Sequence, residues 1–251
     1  MRLRLIPAGE FVMGSPGDES GRFSNEGPQR TVRITKPFYM GIHEVTQAQC
    51  QAVMGSNPSH LKGNDLPVEC VSWNDAMEFC RRLSEQTGLT FGLPTEAQWE
   101  YACRAGATTT YCFSGNAAQL KDYAWYLDDS GRKTHPVGQK RPNAFGLYDM
   151  HGNVLEWCLD SYKDRYTRLP NRDPQYEQQG ATHVLRGGSY DLTEGHCRSA
   201  YRDSQNPVVA YLSSGFRVVV VLQGKAKPDK QTSWDKGMSS ITQKSYEKRR
   251  I

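Results

Sequence analysis

Candidate catalytic and metal-binding side chains are concentrated in the stretch from Arg186 to Arg202. There, Leu185-Arg-Gly-Gly-Ser-Tyr190 leads through a polar loop to His196, Cys197 and two arginines. If the protein acts on a bound peptide or a metal ion, we expect the chemistry here. The sequence predicts a strand over Thr182–Tyr190. Its paired glycines would let a second backbone or a ligand approach closely. The competing interpretation is a glycine bulge beside a buried structural thiol.

Length and composition predict a loop-rich globular chain. The 251 residues are enough for one large domain or two small ones. Glycine, proline and small polar residues interrupt almost every segment, which predicts short elements joined by loops. No apolar run approaches the roughly 18 residues of a membrane span, so we expect no membrane contact. Met1–Pro7 lacks the apolar core of a signal peptide, which leaves localisation open and slightly favours the cytoplasm.

The seven cysteines follow no metal-binding or disulfide pattern. Their number is odd and no Cys-x-x-Cys pair occurs, so a zinc site has no support. Most lie inside apolar helical or strand patterns, which predicts reduced, buried thiols in a reducing compartment. One or two disulfides are left open.

The positive charge is concentrated at the C-terminus. Residues 225–251 hold eight Lys or Arg against three acidic residues, a net of +5, whereas the whole chain has +4. We therefore predict a nearly neutral domain over residues 1–222 and a basic, flexible tail over 223–251. Such a tail can contact nucleic acid or can be a solvated extension; the domain itself gives no indication of nucleic-acid binding.

Three helices are predicted from their capping patterns. Thr46, Ser72 and Thr95 each precede, by three residues, a side chain that can complete a capping box, and Gly55, Gly88 and Gly106 are the expected stops. The apolar face of the first helix is predicted from the spacing of Val45, Ala48, Ala52 and Val53.

Strands are predicted over residues 3–13, 30–40 and 216–222. The segment from Gly14 to Pro28 is dense in Gly, Ser, Asp and Glu, which predicts an exposed loop. Long loops are expected over residues 107–141 and 160–180.

Short sequence blocks with distinctive residues occur from the N-terminus to the last predicted strand. In chain order they are Ile6–Gly14, Glu44–Thr46, Pro67–Val68, Val71–Trp73, Leu93–Tyr101, Asn143–Trp157, Arg186–Tyr190, Arg198–Arg202 and Gly215–Arg217. Together they resemble the formylglycine-generating enzyme and sulfatase-modifying-factor family over residues 6–220. The resemblance implies an α+β fold: a single loop-rich domain with C-type-lectin-like topology, short helices and small antiparallel sheets. The residues alone predict only a loop-rich α+β chain.

In the oxidases of this family, two cysteines after the Gly-Gly-Ser motif bind copper, and a cysteine in an extended sulfatase peptide becomes formylglycine. Cu(I) prefers soft thiolates, and two of them hold it far better than one. Counted from the Gly-Gly-Ser-Tyr block, Leu192 stands at the first cysteine position and Cys197 at the second. Counted back from Arg198–Arg202, the loop is shorter than in the oxidases and Cys197 matches a non-catalytic position, so the cysteine pair is absent in either alignment. Ser189 matches the serine that lines the oxidase active site, so the resemblance implies Cys197 and Ser189 as catalytic candidates. A copper site is therefore doubtful, and a site made of His196 and Cys197 is disfavoured because neighbouring strand residues face opposite ways.

The resemblance also implies a calcium site. Asp149, Gly152, Val154 and Glu156 match the family's ligand positions, and they offer two carboxylates and two backbone carbonyls. Oxygen ligands of this kind suit Ca²⁺. The alternative is a metal-free turn in which Glu156 pairs with an arginine and the rest packs around Trp157.

Two functions follow, and the sequence leaves open whether the chain is an enzyme. The first is a non-oxidase binding or accessory module that holds an extended peptide, a protein or a small ligand on an intact framework. The second is a formylglycine-generating oxidase that uses Cys197 with an unrecognised second copper ligand. A third possibility is an iron-dependent sulfoxide synthase. It is disfavoured because those enzymes carry their iron ligands in a separate helical domain, for which this sequence gives no pattern.

Overall fold

The structure is a computed structural model that describes residues 1–221. These residues form ten short strands and three helices: β1 Leu3–Ile6, β2 Gly9–Met13, β3 Arg30–Ile34, β4 Phe38–Gly41, α1 Gln47–Met54, α2 Trp73–Thr87, β5 Phe91–Gly92, α3 Glu96–Arg104, β6 Leu155–Ser161, β7 His183–Arg186, β8 Asp203–Gln205, β9 Ser214–Gly215 and β10 Val219–Val221. The predicted α+β class with short helices and small sheets is confirmed. The basic tail predicted over 223–251 lies outside the described residues.

The three helices begin where the sequence predicts. The hydroxyls of Thr46, Ser72 and Thr95 each accept the backbone N–H three residues on, at 3.3, 3.2 and 3.1 Å, and all three capping boxes are complete. The first two helices end at left-handed glycines, whereas the third ends at Ala105 rather than at the predicted Gly106. Within the described part of the chain, no helix is long and apolar enough to cross a bilayer.

The predicted buried face of α1 is only half right, since Val45 is buried and Val53 packs against the core. Ala48 and Ala52 are exposed, whereas Gln47 and Cys50 face the interior. The Gln47 amide donates to two backbone carbonyls, of Leu61 and Pro67, and accepts from Asn57 and from the Gly63 N–H. A buried amide with four partners is stable in the interior, and apolar spacing cannot reveal it.

The strands form one four-stranded sheet in the order β1-β4-β10-β5, a β2-β3 pair, and a second four-stranded sheet in the order β8-β7-β6-β9. Pairing is antiparallel except between β6 and β9. The strands are shorter than predicted: residues 3–13 and 30–40 each divide into two strands, and the last strand begins at Val219. The strand predicted over Thr182–Tyr190 ends at Arg186, because Gly187 and Gly188 turn the backbone with φ of 97° and 73°.

Two tryptophans lie at the centres of the two large core clusters. Trp99 of α3 packs among residues of the first sheet and of the β2-β3 pair, and Trp157 of β6 packs against α2. Both side chains are fully buried. Each indole N–H has a partner, Glu156 for Trp99 and the Val71 carbonyl for Trp157, as a buried indole requires.

The segment from Gly14 to Pro28 is not simply the exposed loop that its composition predicts. Its Glu26 side chain is fully buried, where it accepts hydrogen bonds from the Arg198 guanidinium. The Ser15 N–H also donates to the Glu26 carbonyl, at 3.1 Å. The interior of the segment is therefore anchored, although residues such as Asp18 and Ser20 remain exposed.

Candidate functional site

The loop after β7 folds back upon itself and closes over Cys197. A Cβ atom added to Gly188 would lie 2.6 Å from the Cys197 sulfur, which shows how closely the two segments approach. The loop ends in a single 3₁₀ turn, Glu194–Cys197. The close contact that the paired glycines predicted is therefore made within this loop, by Cys197.

Cys197 and Ser189, the two candidate catalytic residues, are both fully buried. Cys197 packs in a small apolar cluster with Tyr111, Leu120 and Ala124. Burial raises the pKa of the Cys197 thiol far above its ordinary value, so the protonated form dominates at neutral pH. The Ser189 hydroxyl donates to the Asp191 carboxylate at 2.6 Å. Neither group is open to a substrate.

The neighbours of these two residues are also engaged in packing and hydrogen bonds. Leu192 packs against the core cluster that contains Trp157, and its carbonyl accepts the Leu127 N–H at 2.9 Å. The His196 ring lies 5.0 Å from that of Tyr201, and its Nδ1 is 2.9 Å from the Thr193 hydroxyl. Among the described residues, no group of three or more His, Cys, Asp or Glu side chains is arranged to hold a metal ion.

The His151 side chain is hydrogen-bonded to the end of this loop, and no sequence motif marks it. Its imidazole is buried; Nε2 accepts the Cys112 N–H at 3.1 Å, so Nδ1 carries the proton and donates to the Cys197 carbonyl at 2.8 Å. All seven cysteines are free, and five of them are buried, which confirms the prediction that most of the thiols are buried.

The two predicted calcium-binding carboxylates lie in a buried cluster with Glu44 and Arg217. Glu156 accepts two hydrogen bonds from the Arg217 guanidinium, both at 2.5 Å, and one from Trp99 at 2.8 Å. Asp149 accepts the Gly138 N–H with Oδ2, while its Oδ1 and both Glu44 oxygens have no hydrogen-bond partner among residues 1–221.

Two carboxyl groups of this cluster have raised pKa values. Burial is the main reason that the pKa of Asp149 rises to about 6. The pKa of Glu44 is raised well above its ordinary value by burial first, and then by the negative charges of Asp149 and Glu156. Of the residues that the structure describes, Arg217 is the one cation hydrogen-bonded within the cluster.

The other two predicted ligands, Gly152 and Val154, are tightly packed. A Cβ at Gly152 would lie 2.3 Å from the Trp125 carbonyl oxygen, so no other residue fits there without movement. The Val154 side chain is fully buried beside Gly215. Arg217 and Trp99 already hold the Glu156 carboxylate, whereas the Asp149 Oδ1 has no hydrogen-bond partner among the described residues. The calcium site stays a prediction, and no chemical step is derived from it.

The arginines of the signature blocks are structural. Arg186, Arg198, Arg202 and Arg217 are all buried, and each forms an ion pair with a buried or nearly buried glutamate. Arg186 contacts both Glu96 and Glu100 of α3, at 2.9 and 2.6 Å. The sequence did not identify the glutamates, although their position on an inward-facing helix is a usable signal. These arginines are not available to bind a partner.

An open pocket adjoins the buried acidic cluster, since its lining residue Gly138 donates an N–H to Asp149. It has a volume of about 550 Å³ and is bounded by the end of β4, the start of α1 and the segment 136–139. Its polar lining consists mainly of Arg2, His43, Gln49, Asp65, Gln139 and Tyr148. These residues come from four separate parts of the chain and form no motif, so no local pattern could have found them.

Comparison with known proteins agrees with this architecture. Residues 2–222 match the family described as Sulfatase-modifying factor enzyme 1-like domain. The structure of PvdO from Pseudomonas aeruginosa is similar, with a TM-score of 0.81 and 30% identity over 88% of this chain and 94% of that one. Treponema denticola variable protein 1 gives a TM-score of 0.80 and 33% identity, covering 87% of this chain and 94% of that one.

Two curated relatives carry functional names. The formylglycine-generating enzyme of Streptomyces coelicolor is 30% identical, over 84% of this chain and 87% of the relative. The chaperone protein LppX of Paenibacillus barcinonensis is 35% identical over 49% of this chain, and the match spans 62% of that relative's length. The family match over nearly all the described residues, together with the shared fold, shows that this chain belongs to the sulfatase-modifying factor enzyme 1-like family.

Proposed function

We propose that this chain is a non-oxidase member of its family and acts as a binding or accessory module for a peptide, a protein or a small ligand. One observation carries the proposal: the loop that would hold a copper pair contains one thiol, and that thiol is inaccessible. Leu192 stands at the first cysteine position, and Cys197 is fully buried beside Gly188.

The chemistry of copper explains why this arrangement disfavours oxidation. A Cu(I) ion held by protein thiolates needs soft, deprotonated sulfur ligands. The Cys197 thiol is protonated because burial raises its pKa, and a substrate cysteine has no open path to it. Ser189 is bonded to Asp191 and is equally inaccessible.

One relative is consistent with a role outside catalysis. A fold often keeps its framework while its functional site changes. Here the buried arginine–glutamate pairs preserve the framework, and a relative that is 35% identical over half of this chain is named a chaperone protein.

The test is a copper titration combined with a peptide assay. Purified protein is titrated with Cu(I) and then incubated aerobically with a Cys-x-Pro-x-Arg peptide, and aldehyde formation is followed by mass spectrometry. We expect no stoichiometric copper binding and no aldehyde, while an active formylglycine-generating enzyme run in parallel gives both. Tight copper at one ion per chain together with peptide oxidation would overturn the proposal.

The second candidate is a formylglycine-generating oxidase, favoured by the 30% identity to the Streptomyces enzyme over most of both chains. It requires Cys197 as a copper ligand, so Cys197→Ser must abolish turnover, whereas Cys80→Ser, at a buried thiol in α2, serves as the matched control. Turnover that survives in Cys197→Ser removes this candidate.

A further inference from the structure

The open pocket beside α1 contains charged and polar groups that have no partner within the protein. The Arg2 guanidinium and the Asp65 carboxylate form no ion pair and no side-chain hydrogen bond with any described residue. The Tyr148 hydroxyl and the Gln139 amide are likewise without a protein partner in the described part of the chain. Unpaired groups of both charges on the walls of one pocket suit a ligand that carries both charges.

His43, which also lines the pocket, adds a hydrogen-bond acceptor whose tautomer is fixed. Its Nδ1 lies 2.7 Å from the Glu44 carbonyl, so Nδ1 must carry a proton and donate it there. In the neutral ring, Nε2 then presents a lone pair. The neutral form is favoured because burial lowers the pKa of His43, and the positive charges of Arg217 and Arg2 lower it further.

Other ligand classes fit the pocket less well. A phosphate bound at a helix N-terminus needs free backbone N–H groups, but those of Gln47 and Ala48 already donate to the Leu66 and Asn64 carbonyls, at 2.9 and 3.1 Å. A simple anion would leave Asp65 unpaired, and a simple cation would leave Arg2 unpaired. An apolar ligand would bury these charges without compensation, which is costly.

We propose that this pocket binds a short peptide, two to three residues long, through its free carboxylate and its free ammonium group. Arg2 pairs with the carboxylate, for which a guanidinium is the best-matched partner. Asp65 pairs with the ammonium group, and the His43 Nε2 offers an acceptor for a peptide N–H. The volume of about 550 Å³ lies in the range typical of small-ligand pockets and accommodates such a peptide. The inference rests on the proposed function as a binding module and names its ligand class.

Isothermal titration calorimetry with trialanine tests the proposal. We expect saturable binding to the full chain and at least a tenfold loss of affinity in Arg2→Gln and in Asp65→Asn. Both side chains are exposed, so these variants should fold, which circular dichroism verifies. Arg4→Gln and Asp164→Asn, at exposed positions outside the pocket, are the matched controls and should bind as the parent does.

Blocked peptides identify which end of the ligand each residue holds. Trialanine amide, which has no free carboxylate, should bind the parent chain weakly, and Arg2→Gln should not lower that affinity further. N-acetyltrialanine, which has no free ammonium group, should also bind the parent weakly, and Asp65→Asn should not lower its affinity further. Absence of binding heat, or equal affinity in the parent and both pocket variants, would refute the peptide site.

The peptide site and the proposed function can fail separately. If trialanine does not bind and copper and aldehyde are also absent, the peptide site is wrong and the non-oxidase proposal stands. If aldehyde forms, the non-oxidase proposal is wrong, whatever the calorimetry shows.

Discussion

Replacing Arg217 by Met should destabilise the protein severely, because this guanidinium holds together the buried acidic cluster. Arg217 donates twice to Glu156 at 2.5 Å and also donates to the Gly41 and Tyr148 carbonyls, and both members of the ion pair are fully buried. Removing one partner of a buried pair typically costs about 3–5 kcal/mol. That is a large share of the roughly 5–15 kcal/mol of a typical domain.

Urea unfolding, followed by the fluorescence of the buried tryptophans, gives this difference directly. Arg141→Met is the matched control, since its partner Asp122 is 3.9 Å away and both side chains are exposed. It should change the free energy of unfolding by less than about 1 kcal/mol. A loss of under about 1 kcal/mol in Arg217→Met would refute the reasoning.

A double-mutant cycle separates the charge from the packing. Glu156→Gln retains an acceptor for Trp99 and removes one negative charge from the cluster. Combined with Arg217→Met, it should cost clearly less than the sum of the two single changes, with a coupling energy above about 1 kcal/mol. Simple additivity would show that the ion pair contributes nothing beyond its packing.

Three further predictions concern titration, calcium and capping. Burial, and then the charge of Glu96, raise the pKa of Asp160 to about 7. The folded state therefore keeps this proton between about pH 4 and 7 while the unfolded chain has lost it, so the stability contribution is present at low pH and is lost as pH rises through 7. Asp160→Asn should remove this decline in the unfolding free energy, and a pH profile parallel to that of the parent would contradict the assignment. The predicted calcium site requires that excess calcium, but not magnesium, raise the Tm of chelator-treated protein and that Asp149→Ala abolish the effect; an unchanged Tm would contradict it. Ser72→Ala removes the hydroxyl that caps α2 at 3.2 Å from the Asp75 N–H and should cost about 1 kcal/mol in urea unfolding, so a negligible change would show that the cap is dispensable.

The helix starts were predictable because their signals are local. A threonine or serine followed three residues later by Gln or Asp contains both halves of a capping box, and all three boxes form. The inward face of α1 was not predictable in this way. Gln47 is buried because backbone groups of the residues 61–67 segment surround its amide, and these partners are brought to it by the fold.

The candidate site also combines one feature that is visible in the sequence with one that depends on the fold. Leu192 in place of a cysteine is visible in the sequence and removes one thiol from the copper pair. The burial of Cys197 depends on Tyr111 and Leu120, which lie more than 70 residues away in the chain. No local pattern contains that information.

The family, the α+β class, the capped helices and the missing thiol could be predicted from the amino-acid sequence, because each depends on residue identity or on spacing within a few residues. Three features emerge only from the folded chain: the signature arginines are buried ion-pair partners, Cys197 and Ser189 are inaccessible, and a charged pocket opens beside α1. Desolvation and charge pairing depend on which distant segments of the chain pack together. For this reason the same side chain can be reactive in water and inert in a protein core.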